Sequence, residues 1–363
     1  MRERDFRRLG LIEPESRELL VKAWQQAGLN RSQWETMLRA LSRSPRDFLT
    51  DLALGPVARH LSARMGFVPM EERPELAVWP NLSDCSEAGI GMKEARKLPF
   101  VVHGAILPGF QTGEGLPVGA VLATRGVVVP RAIGRDIGCR MRLTVLDLPD
   151  ARARRKDFAP ILRDHTRFGL DGVFSRPAQH PVLELPDWGL SHTTARLKDV
   201  AAAQLGSSGN GNHFVDLGRF EALEPGLPTN RLAILSHSGG RRPGGEVAYE
   251  YLRLARQRSK DLSRAYRPWA WLEFDSDLGE QFWRAMNLVE RYASACHDVI
   301  HASLSSALGG STLLTVDCCH NLATLEDGLV IHRKGTHRLA EGELAVLAGT
   351  MCSPTYLLRS GKR

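Results

Sequence analysis

The sequence has few cysteines and no long apolar run, and both shortages exclude whole classes of protein. Only 6 of its 363 residues are cysteine, which is too few for a disulfide-stabilised scaffold, so we expect reduced thiols and a cytoplasmic protein. No apolar stretch approaches the roughly 18 residues that span a membrane. The charged start, MRERDFRRLG, is not followed by the apolar segment of a secretory signal. We therefore expect neither a membrane protein nor a secreted one.

Internal repeats, low-complexity tracts and a strong charge bias are also lacking. Hydrophobic residues make up 43% and charged residues 25% of the chain, as in ordinary globular proteins. The length allows one large or two ordinary domains. With 48 basic and 41 acidic residues, the formal charge is +7, a modest excess that favours an anionic partner.

Apolar periodicity predicts an α+β fold with a small helical appendage at the N-terminus. The pattern indicates helices at 16–27, 32–41 and 47–65, the last with a break at Gly55-Pro56. We expect residues 1–75 to form this appendage and a linker, and residues 76–363 to form one domain of mixed sheets and helices. Short β-branched runs predict strands at 100–102, 119–122, 126–129, 142–146, 212–217, 232–235, 313–316 and 329–331, and a long helix is predicted at 280–304.

Potential metal ligands occur in four short segments that are rich in small residues and lie beside apolar runs, where we expect strand ends. The segments are Asp136-Ile137-Gly138-Cys139, Gly211-Asn212-His213, Ser236-His237-Ser238-Gly239-Gly240 and Cys318-Cys319-His320-Asn321. Aspartate, cysteine and histidine together suit Mn, Fe, Co or Zn, and a thiolate that bridges two ions would allow a dinuclear site. A single segment of this kind is more often structural, but four together favour a metal centre.

A fifth pattern, with His297 and His301 four residues apart, resembles the zinc-binding helix of metalloproteases. Asp298 stands where that helix has glutamate, and the neighbouring positions suit packing. A structural role is therefore the better interpretation, with both histidines facing solvent or hydrogen-bond partners.

Basic residues are concentrated near these candidate ligands. Arg135 precedes Asp136, while Arg241 and Arg242 follow the His237 segment. Arg333 and Lys334, within His332-Arg333-Lys334-Gly335, predict a further cationic turn. We expect these five basic residues to contact phosphate groups of a nucleic acid or a polyphosphate.

Taken in order, these motifs resemble those of the RtcB family of RNA-splicing ligases, from about Leu98 to about Arg359. The matching segments are Asp136-Ile137-Gly138-Cys139, Leu205 to Phe214, His237-Ser238-Gly239, His320-Asn321, His332-Arg333-Lys334-Gly335 and Gly349-Thr350-Met351. The resemblance implies GTP- and Mn²⁺-dependent joining of RNA 3′-phosphate or 2′,3′-cyclic phosphate ends to 5′-hydroxyl ends, in RNA repair or tRNA splicing.

The resemblance also assigns roles to residues. It implies two Mn²⁺ ions bridged by Cys139, with Asp136 and His213 on one ion and His237 and His320 on the other. The resemblance further implies that five residues bind the guanosine nucleotide. They are Asn212, Phe214, Asp216, His320 and Asn321.

The sequence departs from the family pattern at several positions. In the family, a nucleophilic histidine lies in a His-Gly-Ala-Gly-Arg segment shortly after Gly-Thr-Met, and the given sequence reaches Arg363 without that segment. Relative to the family we expect a C-terminally incomplete chain that binds Mn²⁺ but forms no histidine–GMP adduct. Further departures are Gly109, Gln111, Arg140, Asp216 and Cys352. Two alternatives to a ligase stay open: a paralogue that binds metal and RNA ends without ligation, and a dinuclear metal phosphoesterase.

Overall fold

The computed structural model of the chain describes two compact units. It describes every residue except 1–4, 7–8, 10, 12–13, 65–75, 79–89, 150–154, 170–171, 260–261, 263–265, 350–352 and 362–363. Unit 1 comprises residues 1–134, 249–283 and 323–334, and unit 2 comprises residues 135–248, 284–322 and 335–363. Most of the expected linker, together with Met351 and Cys352, lies outside the described residues, and the expected boundary at residue 75 stays a prediction.

The N-terminal part of unit 1 is helical, as the apolar periodicity predicts. Helices α1 (Pro14–Ala27), α2 (Arg31–Arg43) and α3 (Gly55–Arg64) are accompanied by a 3₁₀ turn at Pro45–Phe48. Asn30 caps α2 in a reciprocal capping box with Gln33, which satisfies two backbone amides that a helix start leaves unpaired. The apolar faces share one core, built on Leu20, Trp34, Leu38, Leu41 and Val57.

The remainder of unit 1 is built on a five-stranded sheet with the order β1-β2-β3-β13-β12. Its strands are β1 (Leu76–Val78), β2 (Val101–Gln111), β3 (Val118–Thr124), β12 (Asn321–Glu326) and β13 (Leu329–Lys334). Two short strands, β4 (Val127–Val128) and β10 (Leu272–Glu273), form a separate pair. The short helices α4 (Ile90–Ala95) and α5 (Pro130–Ile133) and a 3₁₀ turn at Arg267–Trp269 complete this unit.

Unit 2 is built on a four-stranded antiparallel sheet with the order β11-β5-β9-β8. Its strands are β5 (Arg140–Pro149), β8 (Phe214–Phe220), β9 (Arg231–Ser238) and β11 (Thr312–Cys319). The C-terminal part of the long helix α9 (Asp277–Leu308) packs on this sheet, where Ile300 and Leu304 meet Leu146 and Ile234. The central strands β5 and β9 are buried on both faces, because a second apolar cluster, with Leu143, Val145 and Ala233, lies on the opposite face.

Smaller elements surround the unit 2 sheet. They are α6 (Arg155–His165), β6 (Arg167–Phe168), two 3₁₀ turns (Pro181–Glu184 and Pro186–Gly189), α7 (His192–Gln204), β7 (Ser207–Gly209), α8 (Arg241–Arg258), which continues into unit 1, β14 (Leu344–Leu347) and β15 (Tyr356–Arg359). Helices and antiparallel sheets in this mixture confirm the α+β prediction. Among the described helices, none has the length and apolarity needed to cross a membrane.

Candidate metal centre

One edge of the unit 2 sheet brings four candidate ligands together. His237 is the penultimate residue of β9 and His320 directly follows β11, whereas Cys139 directly precedes β5 and His213 directly precedes β8. Because the neighbouring strands are antiparallel, the start of one strand lies beside the end of the next. The expectation that every ligand ends a strand is therefore right for the two histidines of β9 and β11 and wrong for Cys139 and His213.

The ligand atoms form two groups that share a single thiol. Cys139 Sγ lies 3.1 Å from His237 Nε2, which in turn lies 3.1 Å from His320 Nε2. On the other side, the same Sγ lies 3.6 Å from His213 Nε2, and that nitrogen lies 2.9 Å from Asp136 Oδ2. Within each group, the ligand atoms all lie within 4.8 Å of one another. All five ligands predicted from the sequence thus converge on one point of unit 2.

A tight turn aims Asp136 and Cys139 at this point. Gly138 has a φ of 75°, which glycine adopts without strain, and a Cβ there would lie 2.9 Å from Glu290 Cα. The Gly138 amide donates to the carbonyl of Asn321 over 2.8 Å, and the His320 amide donates to the carbonyl of Cys139 over 2.9 Å. These two bonds tie the turn to the segment that carries His320.

The donor set fits a borderline divalent metal. The Nδ1–H of His237 donates to the carbonyl of Asn212 over 2.8 Å, so the lone pair of Nε2 faces the cluster, as in metal-binding histidines. Among the described residues, the buried Nδ1 of His213 has no hydrogen-bond partner. Imidazole, thiolate and carboxylate ligands in close contact suit Mn, Fe, Co or Zn.

Burial sets the protonation of these ligands. It lowers the pKa of His237 and lowers that of His320 to about 3, so both rings are neutral and can donate a lone pair. Burial alone would raise the pKa of Asp136, but the hydrogen bond and charge of His213 outweigh it, and the net pKa is lowered. Burial, with the charge of Asp136, raises the pKa of the Cys139 thiol well above its usual range. A bound cation would reverse this last effect and release the thiol proton.

Behind β9, buried side chains form a continuous hydrogen-bonded chain. Ser236 Oγ lies 2.6 Å from His297 Nδ1 and 2.6 Å from His301 Nε2. His301 Nδ1 lies 2.7 Å from Thr144 Oγ1, and His297 Nε2 lies 3.3 Å from the carbonyl of Ser238. Since that carbonyl can only accept, the proton positions follow in one direction, from the Thr144 hydroxyl to His301, Ser236, His297 and finally Ser238.

This chain settles the role of the metalloprotease-like pair. His297 and His301 are buried and bond to strands β5 and β9, so the structural interpretation holds and neither ring faces solvent. Side chains alternate along a strand, so Ser236 and Ser238 point away from the face on which His237 meets the metal ligands. The two helix histidines therefore support the strand that carries His237, and all four of their ring nitrogens lie within hydrogen-bond distance of a protein oxygen.

The residues that the resemblance assigns to guanosine nucleotide lie around the same sheet edge. The Phe214 ring centroid is 5.8 Å from that of His237, and the carbonyl of Asn212 holds His237. Asn321 follows His320, and its side chain accepts from the Gly335 amide over 2.7 Å. Asp216 lies two residues beyond Phe214, on the same face of β8. The residue is largely exposed, and the partial desolvation of its carboxyl raises its pKa.

The basic candidates of unit 2 differ in accessibility. Arg135 and Arg242 are exposed, and Arg242 Nε donates to Glu246 over 2.9 Å. Arg241 is buried, and its guanidinium donates to Ser207 Oγ over 3.2 Å and to the Gly169 carbonyl over 2.8 Å. Its φ of 52° is costly for a non-glycine residue, and these internal hydrogen bonds help to hold it.

The remaining basic candidates belong to unit 1, and the turn predicted there is wrong. Arg333 and Lys334 end strand β13, and the chain turns only at Gly335. Arg333 pairs with Glu326 over 2.6 Å, and Lys334 is buried and donates to the carbonyl of Glu114. The strand forms because Val330, His332 and Lys334 are buried on one face, opposite Arg333.

Sequence reasoning missed a network of ion pairs around the cysteine turn. Arg140 is almost fully buried and pairs with Glu290 and, over 3.4 Å, with Asp317. Arg142 pairs with Asp298 and, over 2.7 Å, with Asp317. The two arginines share a face of β5, which alternation does indicate, but their partners lie more than a hundred residues away and leave no local signal.

Comparison with known proteins agrees with this geometry. The family model described as tRNA-splicing ligase RtcB matches residues 91–172 and 184–363. The RNA-splicing ligase RtcB of Escherichia coli K12 is 26% identical over 297 residues, covering 72% of this chain and 71% of that protein. The tRNA-splicing ligase RtcB of Thermococcus kodakarensis is 26% identical over 350 residues, covering 74% and 73%. The RNA-splicing ligase RtcB of Mycobacterium tuberculosis is 25% identical over 333 residues, covering 72% and 77%. Because the family model matches most of the chain, the protein belongs to the tRNA-splicing ligase RtcB family.

Proposed function

We propose that the protein is an RNA ligase that uses GTP and Mn²⁺ to join a 3′-phosphate or 2′,3′-cyclic phosphate end to a 5′-hydroxyl end. The observation that carries the proposal is the pair of ligand groups that share Cys139. Family membership supports RNA as the substrate. The same proposal includes repair or tRNA splicing as the process and the cytoplasm as the place of action.

The five ligand residues would hold two ions, with the Cys139 thiolate between them. Asp136 and His213 complete one group, and His237 and His320 complete the other. When bound, paired divalent cations offset the charge that develops on a phosphorus under attack. The protein's own contribution is to keep the two histidines neutral and the carboxylate ionised, as burial and hydrogen bonding do here.

The nucleotide would approach the exposed side of this sheet edge, and RNA phosphates would contact basic residues of each unit. Asn212, Phe214, Asp216, His320 and Asn321 are the residues proposed to contact the guanosine nucleotide. Arg135, Arg241, Arg242, Arg333 and Lys334 are those proposed to contact RNA phosphates. For Arg241 and Lys334, which already donate to carbonyls inside the protein, contact with RNA would require a nitrogen not used in those bonds.

A second candidate is metal-dependent binding of RNA ends without ligation. It is favoured by the state of the histidines near the cluster. Of those described, His213, His237 and His320 direct Nε2 at the other ligands, so these three rings would be committed to the metals. A histidine that attacks GTP needs an unshared nitrogen close to the α-phosphorus.

The experiment that separates these functions is covalent labelling with α-³²P-GTP and Mn²⁺, followed by denaturing electrophoresis and a ligation assay on RNA with 3′-phosphate and 5′-hydroxyl ends. A labelled protein and a joined product would support the ligase. Retained binding of RNA ends without a label would support the second candidate. Release of inorganic phosphate from the 3′ end without GTP would contradict both and indicate a phosphoesterase.

A matched pair of cysteine variants tests the metal ligand assignment within that assay. Cys139→Ser removes the shared thiol, and we expect it to abolish Mn²⁺-dependent labelling or end binding. Cys318→Ser alters another buried cysteine of the same sheet that belongs to neither ligand group, and we expect wild-type behaviour. Equal effects of the two substitutions would contradict the proposed bridge.

A further inference from the structure

Unit 1 contains a group of basic side chains that belongs to no ligand group of the metal centre. We call it the unit 1 basic cluster, and its members are Arg131 in α5, Arg256 in α8, Arg267 in the 3₁₀ turn and Lys334 at the end of β13. Only Lys334 among them is a proposed RNA contact.

Arg131 is held in place by an aromatic ring and a glycine loop. Its guanidinium carbon lies 5.7 Å from the centroid of the buried Trp269 ring, a favourable cation–π distance. A Cβ on Gly115 would lie 2.7 Å from Arg131 Cγ, so the loop packs directly on the arginine stem. Within the part of the chain that the structure describes, the buried Nε of Arg131 has no hydrogen-bond partner.

Arg256 provides a second buried donor nitrogen. Its Nε is also buried without a hydrogen-bond partner among the described residues. Burial lowers the pKa of Arg256, and the positive charges of Arg131 and Arg267 lower it further, while Glu114 opposes them. The guanidinium groups are thus close enough to repel one another and are only partly neutralised.

Lys334 brings a third cation to Arg131. The side chain is buried, and its ammonium donates to the main-chain carbonyl of Glu114, a neutral acceptor that leaves the charge in place. Burial lowers the pKa of Lys334 to about 8, the charge of Arg131 lowers it as well, and the Glu114 carboxylate opposes both. A Cβ on Gly134 would lie 3.2 Å from this ammonium, so the glycine lets the ammonium approach the backbone three residues after Arg131.

Like charges that converge with unused donors need a counter-charge, because an unpaired buried donor and mutual repulsion both cost free energy. Among the described residues, the Glu114 carboxylate opposes the charges around both Arg256 and Lys334, and its single negative charge is smaller than the sum of theirs. Guanidinium forks match the tetrahedral oxygens of phosphate, and the ammonium adds a point charge. We infer that the unit 1 basic cluster binds a phosphate group, with Arg131, Arg256 and Lys334 as its direct contacts.

The test uses Arg256→Gln and a matched control, Arg253→Gln. Both substitutions remove one positive charge from α8, but the half-exposed Arg253 pairs with Glu250 over 2.8 Å and has no part in the cluster. Inorganic phosphate is titrated into the full chain by calorimetry, without added metal, and thermal unfolding is followed with and without phosphate.

We expect wild type and Arg253→Gln to bind phosphate equally and to unfold at a higher temperature in its presence. Arg256→Gln should bind phosphate roughly tenfold more weakly, as loss of one charge-assisted hydrogen bond predicts. Without phosphate, the same variant should unfold at or above the wild-type temperature, because it relieves repulsion. An equal phosphate affinity in Arg256→Gln, or no saturable binding by wild type, would overturn the inference.

A single-stranded RNA oligonucleotide identifies the source of the phosphate group. If the group belongs to an RNA strand, Arg256→Gln should weaken RNA binding and phosphate should compete with RNA. If the ligand is free phosphate or pyrophosphate, the variant should lose phosphate affinity and keep its RNA affinity. Since neither arm requires ligation or Mn²⁺, failure of the proposed ligase would leave this result unaffected.

Discussion

Gly239 has no side chain in a place where the structure leaves no room for one. A Cβ at this position would collide with the carboxylate of Asp136, which is a ligand of the proposed centre. Gly239 directly follows His237-Ser238 at the end of β9, so the backbone there packs against the side chain of Asp136. The sequence pattern identified both ligands, but the close approach between them depends on a fold that local spacing does not reveal.

We expect Gly239→Ala to impair metal binding more than stability. The added methyl displaces the Asp136 carboxylate, and a shift of this size costs about 1–3 kcal/mol when a packed site must adjust. Calorimetric titration with Mn²⁺ should show at least a roughly tenfold weaker affinity. Far-ultraviolet circular dichroism should remain that of the wild type.

The control for this substitution is Gly218→Ala in β8. A Cβ on Gly218 meets no atom within 4 Å, so we expect wild-type Mn²⁺ affinity. A Gly239→Ala protein that binds Mn²⁺ as tightly as Gly218→Ala would show that Asp136 is not a ligand in this position.

At the scale of elements, helix α9 and strands β5 and β9 are joined by polar groups as well as by apolar packing. Ser236 receives a hydrogen bond from His301 and donates one to His297 in the direction assigned above. Both helix histidines are buried, so each loses a partner that water cannot replace if the serine hydroxyl is removed.

We therefore expect Ser236→Ala to lower the free energy of unfolding by about 2–4 kcal/mol, since it leaves two buried nitrogens unsatisfied. Urea denaturation at neutral pH measures the change. Ser306→Ala, on an exposed position of α9, should change stability by less than about 0.5 kcal/mol. A similar small effect of Ser236→Ala would contradict the hydrogen-bonded chain.

The same buried histidines should make stability depend on pH. Burial, with the charge of Arg142, lowers the pKa of His301 to about 3, and burial lowers that of His297 well below its usual value. Unfolded histidine titrates near pH 6.5, so below that pH the unfolded chain binds protons that the folded chain does not. The contribution of these histidines to the free energy of unfolding is therefore fully present above about pH 6.5. As the pH falls from there towards about 3, the free energy of unfolding decreases by about 1.4 kcal/mol per pH unit for each histidine.

The measurement is the urea midpoint of wild type and His301→Gln across this pH range, without added metal. Glutamine can both donate and accept a hydrogen bond but does not titrate in this range. The variant should therefore show a shallower loss of stability on acidification. Parallel curves for the two proteins would mean that His301 is not a neutral buried group.

Elements were predictable where local pattern decides them. Strands and helices rich in apolar residues followed from periodicity, but α9 extends beyond the predicted 280–304 at both ends. Cys139 and His213 precede their strands because pairing direction, which places strand starts beside strand ends, depends on partners far along the chain. The strand at Arg333 and Lys334 escaped prediction for a related reason. Residues 332–334 pair with residues 120–122 of β3, far earlier in the chain, and only the charges are visible locally.

For the whole molecule, the net charge of +7 supports an RNA affinity that depends on salt. Each phosphate neutralised on a single strand contributes about −0.7 to the slope of log affinity against log salt concentration. We expect Arg242→Gln, which removes an exposed charge at the start of α8, to reduce the slope by about that amount.

Arg359→Gln provides the comparison for Arg242→Gln. Arg359 is exposed on β15 and pairs with Glu224 over 3.2 Å, and we expect the wild-type slope. Filter binding or fluorescence anisotropy with a short RNA at several salt concentrations gives both values. An affinity that does not change with salt would contradict a basic surface as its origin.

Long-range pairings limit what composition can reveal at this scale. Arg140 departs from the family pattern, and nothing near it in the sequence suggests that Glu290 and Asp317 enclose its charge. Likewise, the sequence indicated the five candidate metal ligands only by their residue types and by their positions beside apolar runs. Their arrangement into two groups that share one thiol became visible only with the sheet order β11-β5-β9-β8.

The spread of the ligands along the chain has a consequence for synthesis on the ribosome. Cys139 emerges about 180 residues before His320, a delay of roughly 10–40 s at ordinary elongation rates. Strand β11, which leads directly to His320, is also the last strand to join the sheet. The second ligand group is therefore incomplete until most of the described chain has been made, and tight uptake of a second ion would report that the four-stranded sheet of unit 2 has assembled.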